Sequence, residues 1–142
     1  MFAILVGLSA CNETETFSYD DEGSLCLHSN ADGTLGATVI FPTCLSSTCD
    51  DALYSSCTIE VSGTEITMTS RGAFESPVYG SCSADCQLLK AECTSEHVLP
   101  SGEYTIVHGE DRGELTLPAD GVSLFSESGT VPACTFRAPL VE

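Results

Sequence analysis

Nine cysteines in 142 residues, with no C-x-x-C pair among them, constrain this chain more than any other feature. A cysteine content of this size points to metal binding or to disulfides, because reducing compartments favour neither an excess of free thiols nor their oxidation. Structural zinc sites use close cysteine pairs with histidines at fixed offsets. Here Cys44 and Cys49 are separated by four residues, Cys82 and Cys86 by three, and Cys86 and Cys93 by six, while His28, His97 and His108 are scattered. Disulfides are the better reading, and they imply export. Cys26, Cys44, Cys49, Cys57, Cys82, Cys86, Cys93 and Cys134 are the candidates, and eight cysteines allow 105 pairings among which sequence does not choose. Cys44–Cys49 and Cys82–Cys86 are close enough to be local staples, although extended segments would send each to a distant partner. A bridge over a long loop, such as Cys26–Cys134, would restrain the unfolded chain more. Each bridge typically contributes ~2–4 kcal/mol.

The ninth cysteine has a different explanation. Phe2 to Leu8 form a short apolar run that ends in Leu8-Ser9-Ala10-Cys11. This resembles the bacterial lipobox, in which a leucine and two small residues precede a cysteine that is acylated on sulfur and becomes the mature N-terminus. Assigning Cys11 to a lipid leaves an even number of cysteines. The segment before Cys11 carries no Lys or Arg, whereas export signals usually do, so we expect a basic stretch to precede the recorded first residue. The competing reading is a buried apolar strand ending in a disulfide.

Charge narrows the partners. Twenty-one acids face only Arg71, Lys90, Arg112 and Arg137, for a net charge of −17. Phosphate backbones demand clustered Lys and Arg, so no nucleic acid is expected, and a polybasic membrane patch is equally disfavoured. Solubility and self-repulsion explain the acidity without a dedicated acidic binding face.

Three regions follow: residues 1–10 as signal peptide, 11–22 as lipidated cysteine and acidic tether, and 23–142 as the folded domain. "NETETFSYDDEG" is polar, acidic and poor in aliphatics, which reads as a tether. From Gly23 onward, short apolar or alternating runs are divided by turn residues. "SLCLH" and "GATVIF" flank an Asp-Gly turn, with the second expected to end at Pro42. "PTCLSSTCDDALYSSC" reads as loop with one helical turn. "CTIEVSGTEITMTS" is a hairpin turning through Gly63, and "GEYTIVHGEDRGELTLP" is a second, with Tyr104, Ile106 and His108 on one face. "CSADCQLLKAEC" is open between a short helix and an irregular crossover. "GVSLFS" and "ACTFRA" read as the last strands. Seven or eight short strands spaced by turns predict an all-β, disulfide-stapled antiparallel β-sandwich of Ig-like type.

"LSAC", "CLSSTCD", "CSADC" and "LPSGEYTIVHG" together resemble the small cysteine-rich lipoproteins of myxobacteria and related Gram-negative bacteria. The resemblance implies envelope location and architecture, and it implies no activity.

Catalytic and metal-binding chemistry finds little support. No G-x-S-x-G is present, and no Ser, His and acid group together by sequence. His108 reads as a strand histidine and His97 as a loop residue. Asn30, Asp32 and Gly33 faintly resemble the start of a calcium loop, and Asp20-Asp21-Glu22, Asp50-Asp51 and Glu110-Asp111 could supply oxygens. Turn chemistry and solvation account for them more cheaply, so neither metal nor cofactor is expected. Asn12 after the cysteine resembles lipoproteins sorted to the outer membrane. The leading expectation is a lipid-anchored, non-enzymatic envelope module that binds a protein or glycan or serves a structural role. The alternatives are a secreted disulfide-rich enzyme or inhibitor, and a calcium-dependent adhesion module.

Overall fold

Alternating apolar and polar residues separated by Gly, Asn and Asp leave little choice but strands, and strands are what form. The structure, a computed structural model, describes residues 13–126. Among these, nine strands build two sheets: β1 (Thr14–Asp20), β2 (Ser24–Ser29), β3 (Leu35–Leu45), β4 (Asp51–Ser62), β5 (Glu65–Pro77), β6 (Gln87–Thr94), β7 (Gly102–His108), β8 (Asp111–Leu117) and β9 (Val122–Leu124). One sheet runs β1-β5-β7-β8 with β4 on the other side of β5, and the other runs β6-β3-β2-β9. The predicted sandwich is present, with three strands of 11 to 13 residues among the short ones.

β5 organises the first sheet. Its C-terminal half pairs with β1, from Thr14↔Pro77 to Asp20↔Arg71, and its N-terminal half pairs with β7, from Glu65↔Thr105 to Met68↔His108. β1 and β7 therefore lie end to end along one flank of β5 and meet at its middle. We call the end holding Thr14 and Pro77 the upper end, the end holding Glu65 and Leu35 the lower end, and the meeting point the waist. The β5–β7 pairing is parallel and all others are antiparallel, so one neighbour relation departs from the expected topology. Sequence-adjacent hairpins cannot supply a parallel pair, which requires a crossover.

One apolar cluster fills the space between the sheets. Leu25, Leu27, Leu35 and Val39 are buried from one side, and Ile66, Met68, Ile106 and Leu115 from the other. Above the waist, aromatics take over. Phe17 stacks on Phe74 at 5.0 Å between ring centroids, and Tyr19 lies 6.1 Å from Phe41. Gly72 makes room for this packing, since a Cβ there would sit 2.8 Å from the Phe41 ring.

Two readings of the strand layout need correction. The acidic segment read as a tether forms β1, so the folded domain begins near residue 13 instead of 23. Phe17 and Tyr19 drive this: two residues apart on a strand, both turn to the same face and reach Phe74. The stretch read as loop is largely strand, because β3 continues through Pro42 to Leu45 and β4 begins at Asp51. Pro42 falls where the β3–β6 register shifts between Ile40 and Cys44, a place where no ladder donor is needed. The ambiguous "CSADCQLLKAEC" is irregular to Cys86 and then strand β6. The expected strand "ACTFRA" lies outside the described residues.

The disulfides join distant segments: Cys44–Cys86, Cys49–Cys82 and Cys57–Cys93, at sequence separations of 42, 33 and 36. The local staples Cys44–Cys49 and Cys82–Cys86 do not form. The two short segments lie side by side, and each cysteine bonds across to the other segment. Cys57–Cys93 ties β4 to β6, the edge strands of the two sheets on one side. Cys26 is buried and also disulfide-bonded, while Cys11 and Cys134 lie outside the described residues. Three intramolecular disulfides are consistent with export into an oxidising compartment.

Candidate functional site

A cleft opens at the waist. β1 ends at Asp20, and the chain must then leave one sheet and reach the other at Ser24. Asp21 makes the turn at φ 52°, a left-handed conformation that Asp tolerates better than most residues. Its backbone N–H donates to the Ser70 carbonyl at 2.9 Å, and its Oδ1 accepts from the Ser70 N–H at 2.8 Å. Asp21 thereby extends the β1–β5 ladder by one residue. Gly23 follows at φ 114°, where a Cβ would sit 2.2 Å from the Ile40 carbonyl oxygen.

Between this crossover, the upper part of β3 and the β7–β8 turn lies a cleft of about 710 Å³. Ile40, Phe41 and Phe125 give it apolar walls, and Asp20, Asp21, Glu22, Glu110 and Asp111 contribute five carboxylates. Arg71 pairs with Asp20 at 3.3 Å on the exposed outer face. Such a surface attracts cations and repels anions. Among the described residues, no three His, Cys, Asp or Glu side chains are grouped to hold a metal ion.

Behind the cleft, Ser70 Oγ and His108 Nε2 are 2.7 Å apart. A serine bonded to a histidine near a carboxylate has the outline of a nucleophile and its base. Exposure decides against it here, since Ser70 is 1 % exposed and His108 0 %. No substrate reaches either side chain without opening the core. His108 shares a strand face with Tyr104 and Ile106, as the alternation predicts, and that face turns inward. Burial lowers its pKa from the ordinary histidine value, and Asp21 and Asp111 only partly counter this. The ring is thus held neutral, with Nδ1 lacking a hydrogen-bond partner among the described residues. Sequence reasoning missed Ser70 as its partner because the contact runs between β5 and β7, 38 positions apart.

His97 lines a second cleft of about 960 Å³ at the lower end, between the β4–β5 hairpin and residues 95–104, with Glu60, Glu96 and Glu103. The adjacent Ser95 is occupied structurally: its Oγ accepts from the Leu35 N–H and donates to the His97 carbonyl. Among the described residues, no hydrogen bond joins the His97 ring to a serine or carboxylate.

The oxygen-rich turns have local duties. Asp32 Oδ1 accepts from the Thr34 hydroxyl and N–H, which holds its carboxyl below the usual range, the hydroxyl bond contributing most. Asp50 Oδ2 accepts from the Ser46 N–H at 2.6 Å. Asp85 bonds the Ser83 hydroxyl first and Ser47 second, and its pKa is lowered accordingly. Asp32 and Asp50 close turns, and Asp85 links its own segment to Ser47 across the fold.

Neither a protein-family model, nor a curated protein, nor a solved structure matches this chain.

Proposed function

We propose that this chain is an exported envelope lipoprotein: Cys11 carries the lipid, and the β-sandwich is a non-enzymatic binding or structural module. The observation that carries the reading is the cysteine inventory. All seven cysteines among the described residues are in disulfides, and six of them pair with one another. If Cys11 is acylated, the remaining eight cysteines form four bridges, and Cys26 must be joined to Cys134. The lipobox-like Leu8-Ser9-Ala10-Cys11 and the resemblance to myxobacterial cysteine-rich lipoproteins support the same assignment. Two or three acyl chains would give lasting anchorage, which one chain does not. Asn12 favours the outer membrane as destination. A non-enzymatic role is favoured by the sealing of Ser70 and His108 in the core.

Intact mass spectrometry of the membrane fraction tests the proposal, with alkylation under denaturing, non-reducing conditions. The expected species begins at Cys11, carries acyl groups and takes up no alkylating agent. Peptide mapping should then recover Cys26 linked to Cys134. An unacylated chain retaining Met1, or a Cys11–Cys26 bridge, overturns the assignment.

A further inference from the structure

The described residues expose eight large apolar side chains, and six of them, Phe17, Leu53, Tyr54, Val78, Tyr79 and Leu88, lie in the upper half. The register places them there: Phe17 is opposite Phe74, Tyr54 opposite Ala73, and Leu88 opposite Cys44, while Val78 follows the last residue of β5. Only Val61 and Val98 lie at the lower end. The chain also enters at the upper end. The Val78 N–H donates to the Glu13 carbonyl at 2.9 Å, which brings the most exposed apolar residue, Tyr79 at 63 %, beside the start of β1.

We propose that this upper end rests on the bilayer, with Val78 and Tyr79 seated in the lipid headgroup interface beside the acylated Cys11. The inference rests on the lipoprotein reading and adds to it a fixed orientation. Its basis is reach. Cys11 is two residues from Glu13, and two extended residues span at most about 7 Å. With β1 formed from Thr14, no spacer remains to hold the domain away from the lipid. The side chains nearest Glu13 are therefore the ones brought to the membrane. Tyrosine suits that zone, with an apolar ring for the acyl boundary and a hydroxyl for the headgroups.

The loop that bears Tyr79 is braced for such a contact. Cys44–Cys86 ties it to the end of β3, and Cys49–Cys82 to the segment between β3 and β4. Between them, the Ser83 N–H donates to Thr48 Oγ1 at 2.9 Å and the Ser47 N–H to Asp85 Oδ1 at 3.2 Å. A loop already ordered loses little entropy on docking. Charge selects the lipid. Glu13, Glu15, Asp51, Glu75 and Asp85 surround the patch, so anionic headgroups would repel it and a zwitterionic surface fits.

The chain contains no tryptophan, which makes a single reporter clean. Tyr79→Trp and, as the opposite-end control, Val98→Trp would be introduced separately into the full acylated chain. Each protein would be reconstituted in phosphatidylcholine vesicles with or without lipid brominated near the headgroup. Acylation is verified by mass on the same samples, and Val78→Trp stands in should Tyr79→Trp fail to fold. For an interfacial side chain, brominated lipid should reduce the Tyr79→Trp emission roughly twofold and leave the Val98→Trp emission unchanged. Replacing half of the phosphatidylcholine by an anionic lipid should weaken the quenching. Equal quenching at both positions, or none at position 79 on an acylated chain, overturns the orientation while leaving the anchor in place. An unacylated chain overturns both.

Discussion

The two halves of this sandwich are held by different means. Below the waist, β7 alternates between buried and partly exposed residues, and Leu27, Ile66, Met68 and Ile106 are fully enclosed. Above it, every residue of β1 except Tyr19 is exposed, as is most of the segment from 79 to 88. The upper half nevertheless keeps its shape, with two disulfides and a network of serine, threonine and aspartate hydrogen bonds between residues 46–50 and 81–85. Apolar burial is the stronger cement per residue where side chains are available to bury. In the upper half, where Phe41, Phe74, Leu45 and Leu89 form a smaller buried set, covalent links also limit the alternatives open to the chain.

Truncating the lower core should produce the largest loss. Ile106→Ala or Leu27→Ala is expected to cost about 2–5 kcal/mol in denaturant unfolding, through lost transfer energy and the cavity left behind. Phe17→Ala, already part-exposed above the waist, should cost clearly less, and equal losses would erase the distinction. Next comes the bridge between edge strands. Replacing Cys57 and Cys93 together by serine should cost about 2–4 kcal/mol, read as a lower melting temperature. Removing Cys49–Cys82 should act locally: limited proteolysis should begin within residues 78–86 while the unfolding midpoint moves less than for Cys57–Cys93. A larger global shift would mean that the upper half governs stability.

The smallest expected effect concerns acid. His108 has a folded pKa below its unfolded value, so the stability tied to its neutral form is fully present above about pH 6.5 and is lost as pH falls toward the folded pKa. His108→Leu should flatten the melting temperature between about pH 6.5 and 5, whatever it does to absolute stability. Asp32 and Asp85, whose pKa values are lowered by hydrogen bonds, act in a separate window, since their contribution is lost as pH falls through the carboxylate range. A slope between about pH 6.5 and 5 that His108→Leu leaves unchanged would remove His108 as the source of the acid response there.

Legibility followed the same division. The β4–β5 and β7–β8 hairpins, in whole or in large part, were plain in the sequence because a period of two and a nearby glycine turn are local signals. The same alternation placed His108 on one face with Tyr104 and Ile106, and the structure adds that this face is the buried one. β1 was hidden by its composition: threonine and glutamate read as solvated chain, and only the Phe17–Tyr19 spacing betrayed a strand. β4 was half hidden for a related reason, since an exposed edge strand has no buried stripe to announce it. The disulfide pairs, the parallel β5–β7 contact and the Ser70–His108 bond are all non-local. Each depends on which segments the topology lays side by side, and a residue's neighbours in sequence carry no record of that. At the waist cleft the carboxylates were visible as residues, but their gathering from β1, the crossover and the β7–β8 turn was not.

The zipping of β1 to β5 also has a mechanical meaning. Seven residue pairs join the two antiparallel strands, starting at the point where the chain enters the domain. A pull on residue 13 directed away from the upper end runs along the axis of β1, so the pairs share the load and must slip together. The same force applied across the strands would part them one at a time. Resistance to force is set by the rate of unfolding more than by equilibrium stability, and shear is the geometry that keeps that rate low. If the domain is held through Cys11 as proposed, its first strand forms a shear joint, and the upper half is the part that bears the tension.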